Sequence, residues 1–246
     1  MSNPYLKRTI HRHNLASPHL DHEREILVYL PPGYNEGQTY PVVYCQDGRE
    51  FFNFGRIATI ANKLILDEGM EPILIVGVTV DIKRRTAEYA ITGDRNPAYT
   101  RFFVDTLVPF IEAHYPARRT PQARVLAGDS LGASVSLQLA LEHPDRFRRV
   151  LSLSGAFYPK LQERIAASGD LSGYDIFMCV GTAETAVETH IGPVDFVAIN
   201  RQARDLLRQK GAAVTYREAE GTHVWGFWQT MLPDALRHFF HTSRTG

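Results

Sequence analysis

Ser130, Glu184 and His223 have the residue types, and follow one another in the order, that serine-based acyl chemistry requires. Ser130 stands in Gly128-Asp129-Ser130-Leu131-Gly132, a G-x-S-x-G spacing. The run Arg124 to Ala127 before it reads as a strand, and Leu131 to Glu142 after it reads as a helix. A serine on so tight a strand-to-helix turn has its hydroxyl lifted clear of the sheet, and the glycines stay small because strand and helix nearly touch there. A serine hydroxyl is a poor nucleophile at neutral pH. His223 is placed to take its proton and return it to the leaving alcohol. Glu184 is placed to hold the imidazole tautomer and stabilise the imidazolium, with Glu188 and Asp195 as other carboxylates nearby. A tetrahedral oxyanion needs two preorganised N–H donors. The backbone N–H of Leu131, next after the serine, is one. The other is read as that of Arg49, in the loop Asp47-Gly48-Arg49. Asp129 is expected to bond local backbone rather than take part in chemistry.

These residues need a scaffold, and the hydrophobic pattern supplies one. Leading strands are expected at Lys7 to Asn14, Arg24 to Leu30 and Val42 to Gln46, read as antiparallel, with a turn at Pro31-Pro32-Gly33-Tyr34. A helix from Arg56 to Glu68 follows, bounded by Gly69. Ile73 to Val80 is a β-branched apolar run, as in a strand buried on both faces. Asp81 to Pro97 reads as a long charged loop, and Arg101 to His114 as a helix. The second half then alternates: strand Arg149–Ser152, variable stretch Gly155 to Gly173, strand Asp175–Val180, helix Val194–Lys210, strand Ala213–Glu218, helix Phe227–Phe240. Such alternation means right-handed βαβ units and a mostly parallel sheet with helices on both faces. Glu184 and His223 both follow the C-terminal ends of strands, where open α/β sheets place their sites. This is the α/β-hydrolase layout, expected as a single domain over 1–246, in which the triad runs serine, acid, histidine.

Composition narrows the functional classes. Lys plus Arg equals Asp plus Glu at 27 each, so no global field favours nucleic acid or an anionic membrane. Met1 to Ile10 has no apolar signal core, and the longest apolar runs are strand length; a cytoplasmic protein with no membrane partner is the expectation. Cys45 and Cys179 lie in apolar runs and read as buried free thiols. His11 and His13 form H-x-H, but no further ligand set accompanies them, and neither G-x-G-x-x-G nor a P-loop is present; no metal and no cofactor are expected.

Taken together, several segments resemble the putative-esterase, or esterase D-like, branch of the α/β-hydrolases, and its enterochelin-esterase-like members in particular. They are Val28-Tyr29-Leu30-Pro31-Pro32-Gly33-Tyr34, Tyr40 through Gly48, Arg85-Thr86-Ala87-Glu88-Tyr89, the elbow, and Gly221-Thr222-His223-Val224-Trp225. The resemblance implies a serine esterase acting on a small-molecule ester through an acyl-enzyme, and it maps the family's oxyanion donor after Asp-Gly onto Arg49. Glu184 stands where relatives vary in their acid. The letters Gly128-Asp129-Ser130-Leu131 also spell the name of the GDSL hydrolases. That class carries its serine near the N-terminus and a D-x-x-H near the C-terminus, whereas Ser130 is mid-chain and Asp234 and His238 are one residue too far apart. Arg85, Tyr89, Trp225 and Phe51 are expected to touch substrate, with Phe52, Arg84 and Tyr158 as further candidates. Arginines beside aromatics would suit an anionic or catecholate acyl group. An acyltransferase on the same scaffold, or a non-catalytic binding protein, are the alternatives.

Overall fold

In the computed structural model, which describes residues 4–241, the apolar runs of the sequence become an eight-stranded sheet. The strands in chain order are β1 (Thr9–Leu15), β2 (Arg24–Leu30), β3 (Val42–Cys45), β4 (Leu74–Val78), β5 (Arg124–Asp129), β6 (Arg149–Leu153) and β7 (Asp175–Gly181). A separate hairpin, β8 (Val187–Thr189) and β9 (Gly192–Val194), precedes the last strand, β10 (Ala213–Ala219). The spatial order is β1-β2-β4-β3-β5-β6-β7-β10. β1 and β2 are antiparallel to their neighbours, and every pairing from β4 through β10 is parallel. The ends of the expected 1–246 unit fall outside the described residues.

Successive residues of the central strands point to opposite faces, and both faces are covered. Leu126 of β5 joins one buried cluster, while Val125 and Ala127 join the other. Ile176, Met178 and Val180 of β7 separate in the same way from Phe177 and Cys179. Near-continuous aliphatic runs therefore follow from burial on two sides. Cys45 and Cys179 are both buried and unpaired, and burial pushes both thiols up.

The helices are α1 (Gly48–Asn53), α2 (Ile57–Glu68), α3 (Ile82–Tyr89), α4 (Asn96–Arg101), α5 (Val108–His114), α6 (Leu131–Glu142), α7 (Pro159–Ala167), α8 (Phe196–Gln209) and α9 (Trp225–Phe240). Several correct the reading from sequence. The third strand is not antiparallel: residues 31–41 carry the chain past its neighbour, and α2 then makes the crossover that a parallel β3–β4 pair needs. The segment 81–97 is not a loop. Asp81 caps α3 by accepting from the Lys83 N–H, and the helix buries Glu88 and Tyr89. Within it, Glu88 takes both oxygens to the buried Arg24 guanidinium, at 2.7 and 2.8 Å. The helix expected from Arg101 starts earlier, at Asn96 with Pro97 in its first turn, and passes through a wider-turned stretch, Phe102–Leu107, before α5. The variable stretch 155–173 holds α7.

Candidate active site

The turn after β5 is strained in the way the motif demands. Ser130 sits at φ 51 and ψ −119, a region that costs a non-glycine residue about 1–3 kcal/mol. Its neighbours hold it there: the Ser130 N–H donates to Leu153 O, and its carbonyl accepts from the Ala156 N–H. Gly128 cannot be larger, because a Cβ there would lie 2.1 Å from the Gly132 carbonyl carbon. α6 thus starts directly behind the serine, with its first-turn amides unsatisfied.

Glu184 and His223 meet on the adjoining loops. The Ala183 N–H donates to Gly221 O, which ties the β7 loop to the β10 loop. Nδ1 of His223 lies 2.6 Å from Glu184 Oε2. A carboxylate can only accept, so Nδ1 carries the proton and Nε2 is the acceptor. Glu184 is fully buried, and its other oxygen is occupied: Oε1 accepts from the Ser154 hydroxyl and the Gly181 N–H, both at 2.7 Å. The His223 ring is held by Phe196 on one side, centroids 4.3 Å apart, and edge-on by Trp228 at 4.9 Å. Glu188 and Asp195, the other carboxylates near the acid position, do not bond His223: Glu188 is exposed on β8 at the cavity's edge, and Asp195 caps α8 by accepting from the Ala198 N–H.

Ser130, Leu131 and His223 line one cavity of about 450 Å³. No hydrogen bond joins the Ser130 and His223 side chains; the proton transfer between them needs the two groups to close to hydrogen-bond distance. Arg49 is the second residue of α1. The Glu50 and Phe51 N–H groups are both taken by Asp47 O, leaving those of Gly48 and Arg49 outside that turn's bonds. Its side chain turns away, bonding Glu25 through Nε at 2.8 Å.

Of the residues expected to touch substrate, Arg85 and Trp225 line the cavity, and so does Tyr158. Tyr89 and Phe51 do not. Both are fully buried. The Tyr89 hydroxyl accepts from the Asp47 N–H at 3.2 Å, and Phe51 packs edge-on against Trp225 with centroids 4.8 Å apart. They hold the wall from behind, Tyr89 within one buried cluster and Phe51 within the other. Phe52 is likewise core, and Arg84 bonds Asp21 at 2.6 Å outside the cavity.

Arg85 is also less available than an arginine in a charged loop would be. Its Nε and Nη2 grip the two Asp47 oxygens at 2.7 and 2.8 Å, Nη2 reaches Asp129 O at 3.2 Å, and the guanidinium lies over the Tyr89 ring. It is committed to an internal carboxylate, so the expected anionic acyl group loses its cation. Asp129 is buried beside the nucleophile: Oδ2 stands 3.7 Å from Arg85 Nη2, and Oδ1 has no hydrogen-bond partner. Burial, and then the Asp47 charge, push this carboxyl well above the usual carboxylate range.

Ser154, Trp228, Glu50 and the β8–β9 hairpin are site elements that the sequence reading missed. Ser154 follows β6 with no spacing rule to mark it, and Trp228 reads only as one apolar residue of an amphipathic helix. His11 and His13 both hydrogen-bond the Tyr115 hydroxyl, at 3.0 and 2.6 Å, which gives the H-x-H pair a structural partner.

The family model described as putative esterase matches residues 17–239. A Bacillus subtilis (strain 168) protein, "Uncharacterized protein YjcH", is 34% identical over 231 residues, covering 93% of this chain and 96% of that one. A ferulic acid esterase structure superposes with a TM-score of 0.82 at 18% identity, covering 96% of this chain and 99% of that chain. The enterobactin esterase from Shigella flexneri superposes with a TM-score of 0.80 at 19% identity; 97% of this chain matches 62% of that longer one. At such identities the two structures speak for the fold, which is that of the α/β-hydrolases.

Proposed function

The chain belongs to the putative-esterase family and is a carboxylic-ester hydrolase; from that premise we propose that Ser130 is its nucleophile, His223 its general base and acid, and Glu184 the acid that orients His223. The observation that carries this reading is the 2.6 Å contact of His223 Nδ1 with the buried Glu184, in the cavity that Ser130 lines from a strained elbow.

The mechanism follows from these positions. As the ester enters, Nε2 of His223 takes the Ser130 proton while Oγ attacks the carbonyl carbon. Glu184 stabilises the imidazolium and stays ionised. The N–H groups of Leu131 and Arg49, each in the first turn of a helix, receive the oxyanion. The imidazolium then protonates the leaving alcohol, and an acyl-enzyme on Ser130 remains. Water, activated by the same histidine, releases the acid. Acyl transfer to another alcohol would use the same atoms.

The substrate is a small acyl ester. Trp225, Trp228 and Tyr158 offer apolar faces to it, and a siderophore-type lactone is one candidate form. Active-site labelling with a fluorophosphonate tests the nucleophile. The modified peptide is expected to contain Ser130, and the label is expected to vanish in Ser130→Ala. A folded wild-type protein that does not label at Ser130 would sink the assignment. Hydrolysis of an ester panel, with and without an added alcohol, separates hydrolase from transferase.

A further inference from the structure

The turn that presents the Arg49 N–H stands in a costly conformation. Asp47, just before Gly48 and Arg49, lies at φ 52 and ψ 48, in the left-handed region that disfavours a residue with a Cβ. Its carboxylate is held on the cavity side by Arg85. Its backbone is held from behind by a pair of tyrosines. The Asp47 N–H donates to the Tyr89 hydroxyl at 3.2 Å, and the Tyr99 hydroxyl donates to Oε1 of the preceding residue, Gln46. All four residues are buried, and the two tyrosine rings pack with centroids 5.1 Å apart.

The tyrosines are themselves anchored. Tyr89 is the last residue of α3, and its neighbour Glu88 is bonded twice to the buried Arg24 of β2. Tyr99 belongs to α4, and the Arg24 guanidinium lies 5.6 Å from its ring centroid. On the other side, the Gln46 N–H donates to Ala127 O at 2.9 Å, three residues before the nucleophile. The turn is thus tied both to β5 and to α3 and α4. That matters because the two oxyanion donors, Leu131 and Arg49, come from distant parts of the chain, and a preorganised site needs their spacing fixed before the reaction.

We propose that Tyr89 and Tyr99 are positioning residues of the oxyanion site, whose hydroxyls hold Asp47 and Gln46 so that the Arg49 N–H is aimed where the carbonyl oxygen becomes negative. The inference rests on the reading of Arg49 as an oxyanion donor. Neither tyrosine lines the cavity, so both act through the turn and not on the substrate. An interaction realised only as the oxyanion forms shows in kcat and not in KM.

The test compares Tyr89→Phe, Tyr99→Phe and Arg49→Pro with a control, Tyr29→Phe, which removes another buried hydroxyl, bonded to Asn62 of α2 at 2.6 Å. Each is measured by ester kinetics and by inhibition with a trifluoromethyl ketone, whose adduct with a serine carries an oxyanion. In Tyr89→Phe kcat should fall roughly tenfold or more, with KM changed by less than about twofold. Tyr99→Phe should show the same split to a smaller extent, and it still reads the effect if Tyr89→Phe does not fold. The inhibition constant of the ketone should rise by the factor that kcat/KM falls, because both report the oxyanion. Tyr29→Phe should leave kcat and the ketone unchanged. Arg49→Pro deletes the donor itself at a first-turn position, where proline is accepted, and should lose kcat and ketone affinity together. Folded tyrosine variants that keep kcat and ketone affinity while Arg49→Pro loses both would overturn the positioning role and leave the donor standing. An Arg49→Pro variant with full kcat would overturn the donor, and the role of the tyrosines with it.

Discussion

The Ser154 hydroxyl donates to Glu184 Oε1 at 2.7 Å while accepting from the Trp228 indole N–H at 2.8 Å. The direction is fixed by chemistry: an indole nitrogen can only donate, so the one Ser154 proton must go to the carboxylate. Ser154 is itself held at φ 45, with its N–H on Cys179 O. The chain of donors therefore runs from Trp228 through Ser154 to Glu184. It leaves Oε2 of Glu184 as the oxygen for His223, and Trp228 also touches the His223 ring.

Removing the Ser154 hydroxyl should act on the reaction through Glu184. In Ser154→Ala the buried Trp228 N–H loses its acceptor and Glu184 loses one of three donors. A stability loss of about 1–3 kcal/mol is expected by urea denaturation. Glu184 would gain freedom to swing, so kcat should fall on the order of tenfold with KM little changed. A fall in stability with kcat intact would mean that Gly181 N–H and His223 alone fix the carboxylate.

Glu184→Gln keeps the shape and removes the charge. Its amide can present N–H to His223, which stabilises the wrong tautomer and cannot balance an imidazolium. A fall in kcat of roughly 100- to 10,000-fold is expected, with the folded content by circular dichroism unchanged. The slower fluorophosphonate labelling of the variant should track the same factor.

Asp129 makes the stability depend on pH in an unusual direction. Burial, followed by the Asp47 charge, raises its folded-state pKa, with Glu50 adding and Arg85 opposing. The native protein therefore keeps a proton that the unfolded chain has released. That contribution is fully present below the unfolded value of about 3.9 and is lost as pH rises through the folded value, by at most about 1.4 kcal/mol per pH unit. Asp129→Asn mimics the protonated form. Its stability relative to the wild type should rise as pH climbs above the unfolded value of about 3.9, measured as the urea midpoint at each pH. A variant that loses ground with rising pH would show the carboxylate ionised and held by Arg85.

The elements that carry Ser130, Glu184 and His223 were legible because each is bounded by strong local signals. β5, α6 and β7 are apolar and buried along most of their length, β10 is marked by its Val-Thr-Tyr β-formers, and the site residues fall at or just beyond their ends. What was not legible depends on partners far along the chain. α3 reads as a charged loop until Glu88 is seen to pair with Arg24, 64 residues away, and Tyr89 to meet Asp47. The β8–β9 hairpin is three residues a strand and has no period to detect. Arg85 was found, but its meaning was not, since a sequence shows a cation and not the carboxylate that neutralises it. Phe51 and Tyr89 back the wall, and an aromatic near a motif looks the same from sequence whether it faces a ligand or fills the space behind one.

The two glycines of the elbow should differ in what they tolerate. A Cβ on Gly128 would lie 2.1 and 2.2 Å from the carbonyl carbon and oxygen of Gly132, which are backbone atoms of the first turn of α6. They can retreat only if the helix shifts, and the helix is buried along most of its length. A Cβ on Gly132 would instead meet Asp47 Oδ2 at 2.9 Å and Gln46 Cβ at 3.1 Å, both side-chain atoms. Asp47 can give way, though only by disturbing its grip on Arg85. Gly128→Ala is therefore expected to cost about 4 kcal/mol or more and to yield little folded protein. Gly132→Ala should cost about 1–3 kcal/mol and fold. Because the Asp47–Arg85 pair borders the cavity, Gly132→Ala should also raise KM more than it lowers kcat. Urea midpoints for both variants, with ester kinetics for the second, check the order; equal destabilisation by the two would mean that α6 is free to move away from β5.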